Sequence, residues 1–292
     1  MDSFLTSATS GFIVGALYAL MAIGLTIVYG VSHVFNFAHG HVAVIGAYIT
    51  WLVIGLGWGL GAGLLAGFEA AVAFMVVFGW LLYRLSIRHL LRRKGSEFGT
   101  LLFTLGLAIS LEFLLLQLFG PRVKSVPVFT KGSLRLPWGR IGVHEVVLIL
   151  VAVAVIVGLS LFLKRTTTGL AMRAVASSVP GARIVGIDID RIFGYTFALA
   201  FALTGVSGIL LGSKVYMTPH IGWEWMIKGF IIVTFGGLGN VLGAIVAAFT
   251  LGIVESLVTL YAGTLWIWPV WFLMFVLALS IRPQGILGGR VE

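Results

Sequence analysis

The feature that most constrains this chain is a series of apolar stretches long enough to cross a lipid bilayer as helices. A helix needs about 20 mostly apolar residues to cross the hydrocarbon layer. Stretches near that length recur, for example at Gly11–Tyr29, Leu60–Tyr83 and Phe98–Phe119. Barrel strands would instead give alternating patterns of roughly ten residues. The sequence therefore predicts an all-α, polytopic integral membrane bundle of about eight hydrophobic segments, two of them broken helices.

The amino-acid composition supports this assignment. Of 292 residues, 60% are hydrophobic and only 10% are charged, whereas a soluble domain carries roughly a quarter charged residues. The chain has no cysteine, which excludes disulfides and thiol chemistry. The net charge of +9 lies mainly in loops, where it favours orientation and anionic-lipid contact over nucleic-acid binding. We therefore expect residues 1–292 to form a single transmembrane domain, with its first apolar stretch retained as a span.

Two apolar stretches are interrupted by polar residues and glycines instead of by a charged loop. The first interruption runs from Val31 to His41, and the second is Gly236-Gly237-Leu238-Gly239-Asn240. Paired interruptions of this kind indicate discontinuous helices beside a substrate path, although the glycines could equally serve close helix packing. The candidate path residues are Asn36, His39, Gly40, Gly236, Gly237, Gly239 and Asn240.

Asn36 and His39 are expected to share one face of a helical turn, because they lie three residues apart. A wet cavity would satisfy such a polar face better than lipid, and Val44 is expected to face lipid. An alternative remains open, in which the two side chains only pin the broken backbone by hydrogen bonds. No metal site is predicted, because His33, His39 and His41 do not share one face and no carboxylate joins them.

The basic residues predict the orientation in the membrane. The segments Arg84–Lys94 and Lys164–Arg191 carry ten Lys and Arg residues (five plus five). The segment Gly120–His144 carries five, and Lys214 and Lys228 bring that side to seven. The positive-inside rule then places Gly120–His144 outside the cell, as an external loop, and the other two segments in the cytoplasm. Val215–Lys228 is expected to form a further external cap.

The cytoplasmic segment Lys164–Arg191 predicts two short helices. One covers Gly169–Ala176 and follows threonines that suit helix caps. The second is very short, with Pro180 suited to its first turn and Gly186 to its stop. A helix of one or two turns is unstable alone in water, so it must dock on something. The residues alone leave open whether it docks on its own membrane domain or on a partner.

Within this segment, Pro180-Gly181-Ala182-Arg183-Ile184-Val185-Gly186 resembles the ATPase-docking loop of ABC-importer permeases of the branched-chain amino acid (LivH/LivM) family. That loop carries a variant of Glu-Ala-Ala-x-x-x-Gly. Ala182 and Gly186 match the second Ala and the Gly, whereas Pro180 and Gly181 replace the Glu and the first Ala. Three more stretches resemble the family in its own order: Asn36-Phe37-Ala38-His39-Gly40, Gly236-Gly237-Leu238-Gly239-Asn240 and Arg282-Pro283-Gln284-Gly285.

The resemblance implies a permease subunit of an ATP-driven importer in a bacterial or archaeal inner membrane. Its cargo would be branched-chain or other hydrophobic amino acids, or a related small amide such as urea. The implied partners are ATPase subunits that bind ATP and Mg, a second homologous permease and an external solute-binding protein. The residues assigned to ATPase coupling are Arg173, Ala176, Pro180, Ala182, Ile184 and Gly186.

The chain itself shows no catalytic pattern. It contains no Gly-x-x-x-x-Gly-Lys-Ser/Thr motif for nucleotide phosphates and no readable catalytic constellation. We therefore expect neither enzymatic activity nor a bound cofactor. The rival function is an ion-coupled secondary transporter or a channel, for which Glu69, Glu112 and Glu255 would supply intramembrane carboxylates. A membrane scaffold is a third class, and it predicts neither a cavity nor polar interruptions.

Overall fold

The computed structural model describes residues 2–93, 95–282 and 284–287. Lys94 of the predicted basic loop, Pro283 of the fourth family-like stretch and residues 288–292 of the tail lie outside the described residues, as does Met1. The helices are, in chain order, α1 (Asp2–Ser32), α2 (His39–Ile54), α3 (Leu60–Leu82), α4 (Arg88–Leu91), α5 (Ser96–Phe119), α6 (Val143–Arg165), α7 (Thr167–Ser177), α8 (Val179–Ile184), α9 (Ile189–Lys214), α10 (Ile221–Gly236), α11 (Val241–Tyr261) and α12 (Ile267–Ile281). The remaining elements are a π-helical turn between α3 and α4 (Tyr83–Ile87), a two-stranded hairpin, β1 (Ser133–Leu136) and β2 (Gly139–Gly142), and a 3-10 turn before α12 (Thr264–Trp266).

Within the described ranges, seven helical stretches are long and apolar enough to cross a membrane, and α2 is a shorter apolar helix. Together they match the predicted eight hydrophobic segments, so the prediction of a polytopic helical membrane protein is confirmed. The seven stretches are Ser3–Ser32, Leu60–Leu91, Ser96–Phe119, Val143–Arg165, Ile189–Lys214, Val241–Tyr261 and Thr264–Ile281.

Helix α6 runs from one end of the bundle to the other. Its N-terminus follows the β1–β2 hairpin, and its C-terminus leads into α7 and α8. Because α6 is 23 residues long, these features lie at opposite ends, which we call the hairpin end and the loop end. The hairpin is antiparallel, with Ser133 opposite Gly142. It lies in the predicted external loop, where the sequence had indicated no strand.

Helices α1 and α9 form the centre of the bundle. Of the apolar 18-residue segment in each of these helices, 89% is buried inside the bundle. The corresponding share in the stretch that contains α12 is 6%. Helix α1 packs closely on α11 through small residues, because Gly11 meets Gly252 and Ile253 and Gly15 meets Phe249. The small residues of the first span therefore form a helix-packing surface.

Both predicted interruptions are breaks between helices. The first separates α1 from α2 and the second separates α10 from α11. Helix α2 is enclosed by α3, α9 and α10. As a result Val44, which was expected to face lipid, is fully buried.

The prediction of an external cap over Val215–Lys228 is wrong in its second half. Residues from Ile221 onward begin α10, in which Trp225, Met226 and Lys228 are buried. The charged residues do not interrupt this helix, because Glu224 and Lys228 lie four residues apart and form an ion pair of 3.0 Å. Lys228 therefore does not count as an external charge.

Candidate functional site

The two helices predicted for the Lys164–Arg191 segment are present, and each is capped by the side chain of the residue before it. The Thr166 hydroxyl accepts a hydrogen bond from Gly169 N at 3.0 Å and caps α7. The Ser178 hydroxyl accepts one from Gly181 N at 3.1 Å and caps α8, whose first turn contains Pro180. Gly186 follows the end of α8 with φ of 84°, the left-handed conformation that ends helices.

Helix α8 and the residue that follows it place one side chain inward and two outward. Ala182 is only 3% exposed and packs with Met172, Val175 and Ile192 of the same chain. Ile184 and Val185, by contrast, are 86% and 73% exposed. Ala182 therefore anchors α8 to its own membrane domain, and the opposite side of this short helix is exposed. The remaining coupling candidates, Arg173, Ala176, Pro180 and Gly186, are exposed.

The first break is not helical, so the expected shared face of Asn36 and His39 does not exist. Residues 33–36 lie outside any helix, and His33 has φ of 55°. The Asn36 side chain turns back on its own backbone, where Oδ1 accepts from Ala38 N at 3.1 Å. The Asn36 carbonyl accepts from His39 N at 3.2 Å. Asn36 thus shapes the entry to α2 and is fully buried.

His39 ties the start of α2 to the two central helices. Its Nε2 lies 3.1 Å from Met21 O in α1 and 2.7 Å from Thr204 Oγ1 in α9. The Thr204 hydroxyl already donates to Ala200 O, so it can only accept from His39. Nε2–H is therefore the donor in both contacts. This geometry favours the backbone-pinning alternative for His39 in this conformation.

Gly40 lies where α2 and α10 approach each other closely. A Cβ atom at this position would overlap the carbonyl oxygen of Gly222 and would lie 2.7 Å from Met226 N. Only a residue without a side chain lets the two helices meet here. The first turn of α2, which follows the first break, therefore packs directly against the first turns of α10, which precedes the second break.

The second break depends on backbone conformations that favour glycine. Gly237 and Gly239 have φ of 107° and 80°, which other residues adopt only at a cost. Asn240 then caps α11, because its Oδ1 accepts from Gly243 N at 3.0 Å. Gly236 lies against Gly243 across the break.

The segment after α12 closes the second break. Ile286 N donates to Phe235 O at 2.9 Å and Leu287 N donates to Gly236 O at 3.3 Å. The Asn240 amide donates to Leu287 O at 2.5 Å. The segment thereby supplies donors to carbonyls that the end of α10 leaves unpaired. Arg282–Gly285 was noted above only as a family-like stretch, and no such role was predicted for it.

A cavity of about 500 Å³ at the loop end joins the two breaks to α7. The first break contributes Tyr29 and His33, the second contributes Gly239 and Asn240, and α7 contributes Ala176. Two predicted path residues and one predicted coupling residue therefore line the same space. Asn36, His39, Gly40 and Gly236 lie apart from it and are buried between helices.

Sequence reasoning missed a buried ion-pair network nearer the hairpin end. The Lys228 ammonium donates to Tyr18 Oη and to Glu255 Oε1, each at 2.9 Å, and pairs with Glu224. The spacing of Glu224 and Lys228 signalled only the local pair. The contacts across α1, α10 and α11 join residues as far as 237 positions apart, because Tyr18 Oη also donates to Glu255 Oε1, and no local pattern reveals such contacts.

Glu112 has partners as well. Its carboxylate accepts from Trp223 Nε1 at 2.6 Å and lies 2.7 Å from His220 Nδ1. Glu69 differs, because its side chain is exposed on α3. Two of the three carboxylates that the sequence left unassigned are thus engaged in contacts between segments of the bundle.

Comparison with known proteins decides the family. Residues 7–281 match the family model described as branched-chain amino acid transport system / permease component. The chain belongs to this family. It is 31% identical over 303 residues to the high-affinity branched-chain amino acid transport system permease protein LivH of Escherichia coli K12, covering 98% of this chain and 96% of that protein.

Two further relatives give the same result. The permease protein BraD of Pseudomonas aeruginosa is 32% identical over 297 residues, covering 98% of this chain and 96% of its own. A probable LivH of Methanocaldococcus jannaschii is 29% identical over 289 residues, covering 93% and 89%. No solved structure matches the chain. The family consists of permease subunits and not of catalytic ones, which supports the importer over the secondary transporter or channel.

Proposed function

We propose that this permease carries branched-chain or other hydrophobic amino acids, or a related small amide such as urea, into the cell as part of an ATP-driven importer. The relatives that match over nearly their whole length are named as branched-chain amino acid permeases. Separate ATPase subunits would bind ATP and Mg and drive the cycle. A second homologous permease and an external solute-binding protein would complete the assembly.

The observation that carries the proposal is the cavity at the loop end. A transport path must change its access when the ATPases act, so the coupling element has to reach the mobile part of the path. Here Ala176 of α7 lines the same cavity as Gly239 and Asn240 of the second break. A displacement of α7 would therefore reach the break without passing through other helices. This cavity is the inner mouth of the path in our proposal.

Helix α8 supplies the surface on which an ATPase would dock. Ile184 and Val185 are large apolar side chains at the loop end, next to the exposed Arg183 and Gly186. Contiguous exposed apolar residues rimmed by polar ones mark protein contacts. The buried Ala182 behind them holds α8 against Met172 and Val175. A force on Ile184 would thus move α7 and α8 together as one rigid unit.

Asn36, His39, Gly40 and Gly236 enter the path only when the helices around the breaks separate. In this conformation the Gly40–Gly222 contact keeps α2 against α10. We assign the loop end to the cytoplasm on the positive-inside rule. The loop end carries ten Lys and Arg residues, and the hairpin end carries six once the buried Lys228 is left out of the count (seven minus one). The hairpin end then faces the solute-binding protein.

Uptake by proteoliposomes tests the proposal. Vesicles that contain this permease, its partner permease and the ATPases, with the binding protein outside, should accumulate radiolabelled leucine only when ATP is inside. Ala176→Trp should fill the cavity and abolish uptake, whereas Ala154→Trp on the exposed face of α6 should leave uptake normal. Accumulation driven by an ion gradient without the ATPases would overturn the proposal.

A further inference from the structure

A second cavity, of about 270 Å³, lies between the end of α3 and the start of α9. It is at the loop end but is lined by different residues from the proposed path. Arginine and aromatic side chains from both helices face it, among them Trp80, Arg84, Arg88, Arg191 and Tyr195. Neither the sequence patterns nor the proposed transport mechanism assigns it a role.

The π-helical turn at the end of α3 organises this cavity. Residues five apart on a regular α-helix point about 140° away from each other. In the π turn Arg88 N donates to Tyr83 O, and this i to i+5 hydrogen bond brings the two side chains onto one side. Both then reach Asp190, where Tyr83 Oη donates to Oδ1 at 3.1 Å and Arg88 Nη2 donates to Oδ2 at 2.8 Å.

The two carboxylates beside the cavity balance only part of the charge of its three arginines. Asp190 is already saturated, because Arg88 Nε and Arg92 Nη2 also donate to it. Arg191 Nε lies 3.7 Å from Asp188 Oδ2, which is too long for a hydrogen bond. Three arginines against two aspartates among the lining residues leave one positive charge (three minus two).

Arg84 is the cation with the most freedom in this group. Its guanidinium carbon lies 4.9 Å above the Trp80 ring, and no carboxylate among the described residues pairs with it. Stacking on an aromatic face leaves the planar N–H groups available. A guanidinium with free donors matches the oxygen geometry of a phosphate group. The cavity is therefore suited to a phosphate anion.

The flanking surface indicates which phosphate would bind. Leu81 and Leu85 lie four residues apart and share the outward face of the span, with Leu85 68% exposed. Trp80 and Tyr195 are also partly exposed, and such residues concentrate where a membrane meets water. An acyl chain could lie along the two leucines while its headgroup enters the cavity. A free phosphate would gain nothing from this apolar strip, and an ATPase would have to insert between the bundle and the lipid.

We propose that this cavity binds the phosphate headgroup of an anionic phospholipid in the leaflet at the loop end. Basic pockets between membrane helices on the cytoplasmic side bind such lipids. The bound headgroup would bridge Arg84 of the π turn and Arg191 of α9. It would thereby hold the point at which the chain re-enters the membrane after α8.

Native mass spectrometry of the delipidated permease can measure this binding. Phosphatidylglycerol should bind more tightly than phosphatidylcholine, and Arg84→Gln and Arg191→Gln should each weaken phosphatidylglycerol binding about fivefold. Arg140→Gln in the exposed hairpin is the matched control and should leave binding unchanged. Arg84 is exposed, so an unchanged melting temperature will show that its variant is folded.

Two additional arms separate the alternatives. Leu85→Ser should weaken phosphatidylglycerol binding, and excess inorganic phosphate should displace the lipid only weakly. If inorganic phosphate competes fully and Leu85→Ser has no effect, the site is a free-anion site and the proposal fails. It also fails if both lipids bind equally in every variant, or if Arg84→Gln weakens only ATPase binding. None of these readouts depends on the solute carried or on transport.

Discussion

Replacing Ile184 by serine gives the sharpest test of the docking surface. The side chain is 86% exposed in the isolated permease, so nearly all of its apolar area remains available for burial by a partner. Complete burial of an isoleucine side chain contributes roughly 1.5–3 kcal/mol. Losing that contribution should weaken the ATPase affinity by roughly 10- to 100-fold, since each 1.4 kcal/mol is about a factor of ten.

The measurement is the dissociation constant between the purified permease in nanodiscs and a fluorescently labelled ATPase subunit. Leu150→Ser is the control, because Leu150 is exposed on α6 and lies 14 residues before the Lys164–Arg191 segment. It should leave the affinity unchanged. Ile184→Ser should also leave the melting temperature of the permease nearly unchanged, since substitutions at exposed positions usually change stability by less than about 0.5 kcal/mol.

Ala182→Glu makes a second, contrasting test in the same helix. Ala182 is buried against Met172 and Val175, so a carboxylate there should detach α8 from its own domain. Limited proteolysis should then cleave the Lys164–Arg191 segment in the isolated permease, which Ile184→Ser should not cause. Unchanged ATPase affinity in both Ile184→Ser and Val185→Ser would refute the assignment of this surface.

Three further predictions address the interior of the bundle. Gly239→Val should abolish uptake because φ is 80° at this position, whereas Gly158→Val, in open space on α6, should be tolerated in the same assay. Lys228→Met should destabilise the permease by about 3–5 kcal/mol by leaving Glu255 without its cation, and Glu255→Gln in the same chain should restore part of the melting temperature. Cysteines at Asn36 and His39 should react with a water-soluble thiol reagent in only one ATPase state, whereas Leu52→Cys, on the exposed side of α2, should not respond to that state.

Local patterns were sufficient to predict much of this fold. Hydrophobic length predicted the spans. Threonine caps predicted the first helix of the Lys164–Arg191 segment, and Pro180 and Gly186 predicted the second. Both depend on residues within one or two turns of each other. The same reasoning failed at the start of α10. Glu224 and Lys228 were assigned to an exposed cap because they are charged, but they form an ion pair within the helix. Charge alone does not separate a surface loop from a buried pair.

The candidate site was predicted less well, because its geometry depends on contacts between distant segments. His39 was predicted to line the path, but its contacts in the structure are with Met21 and Thr204, which lie 18 and 165 positions away. Helical spacing misplaced Asn36, because that rule holds only inside a helix. The cavity shared by Ala176 and Asn240 follows from the packing of α1, α7 and α11, which no single stretch of sequence specifies.

The closure of the second break by Gly285–Leu287 has a consequence for biosynthesis. Phe235 O and Gly236 O accept from amides of residues that the ribosome adds about 50 positions later, about 3–10 s later at about 5–20 residues per second. Until α12 has been inserted and its following segment folds back, the end of α10 exposes carbonyl groups that a bilayer cannot satisfy. The nascent permease therefore carries an incomplete second break until its last residues have been added and have folded back onto the end of α10.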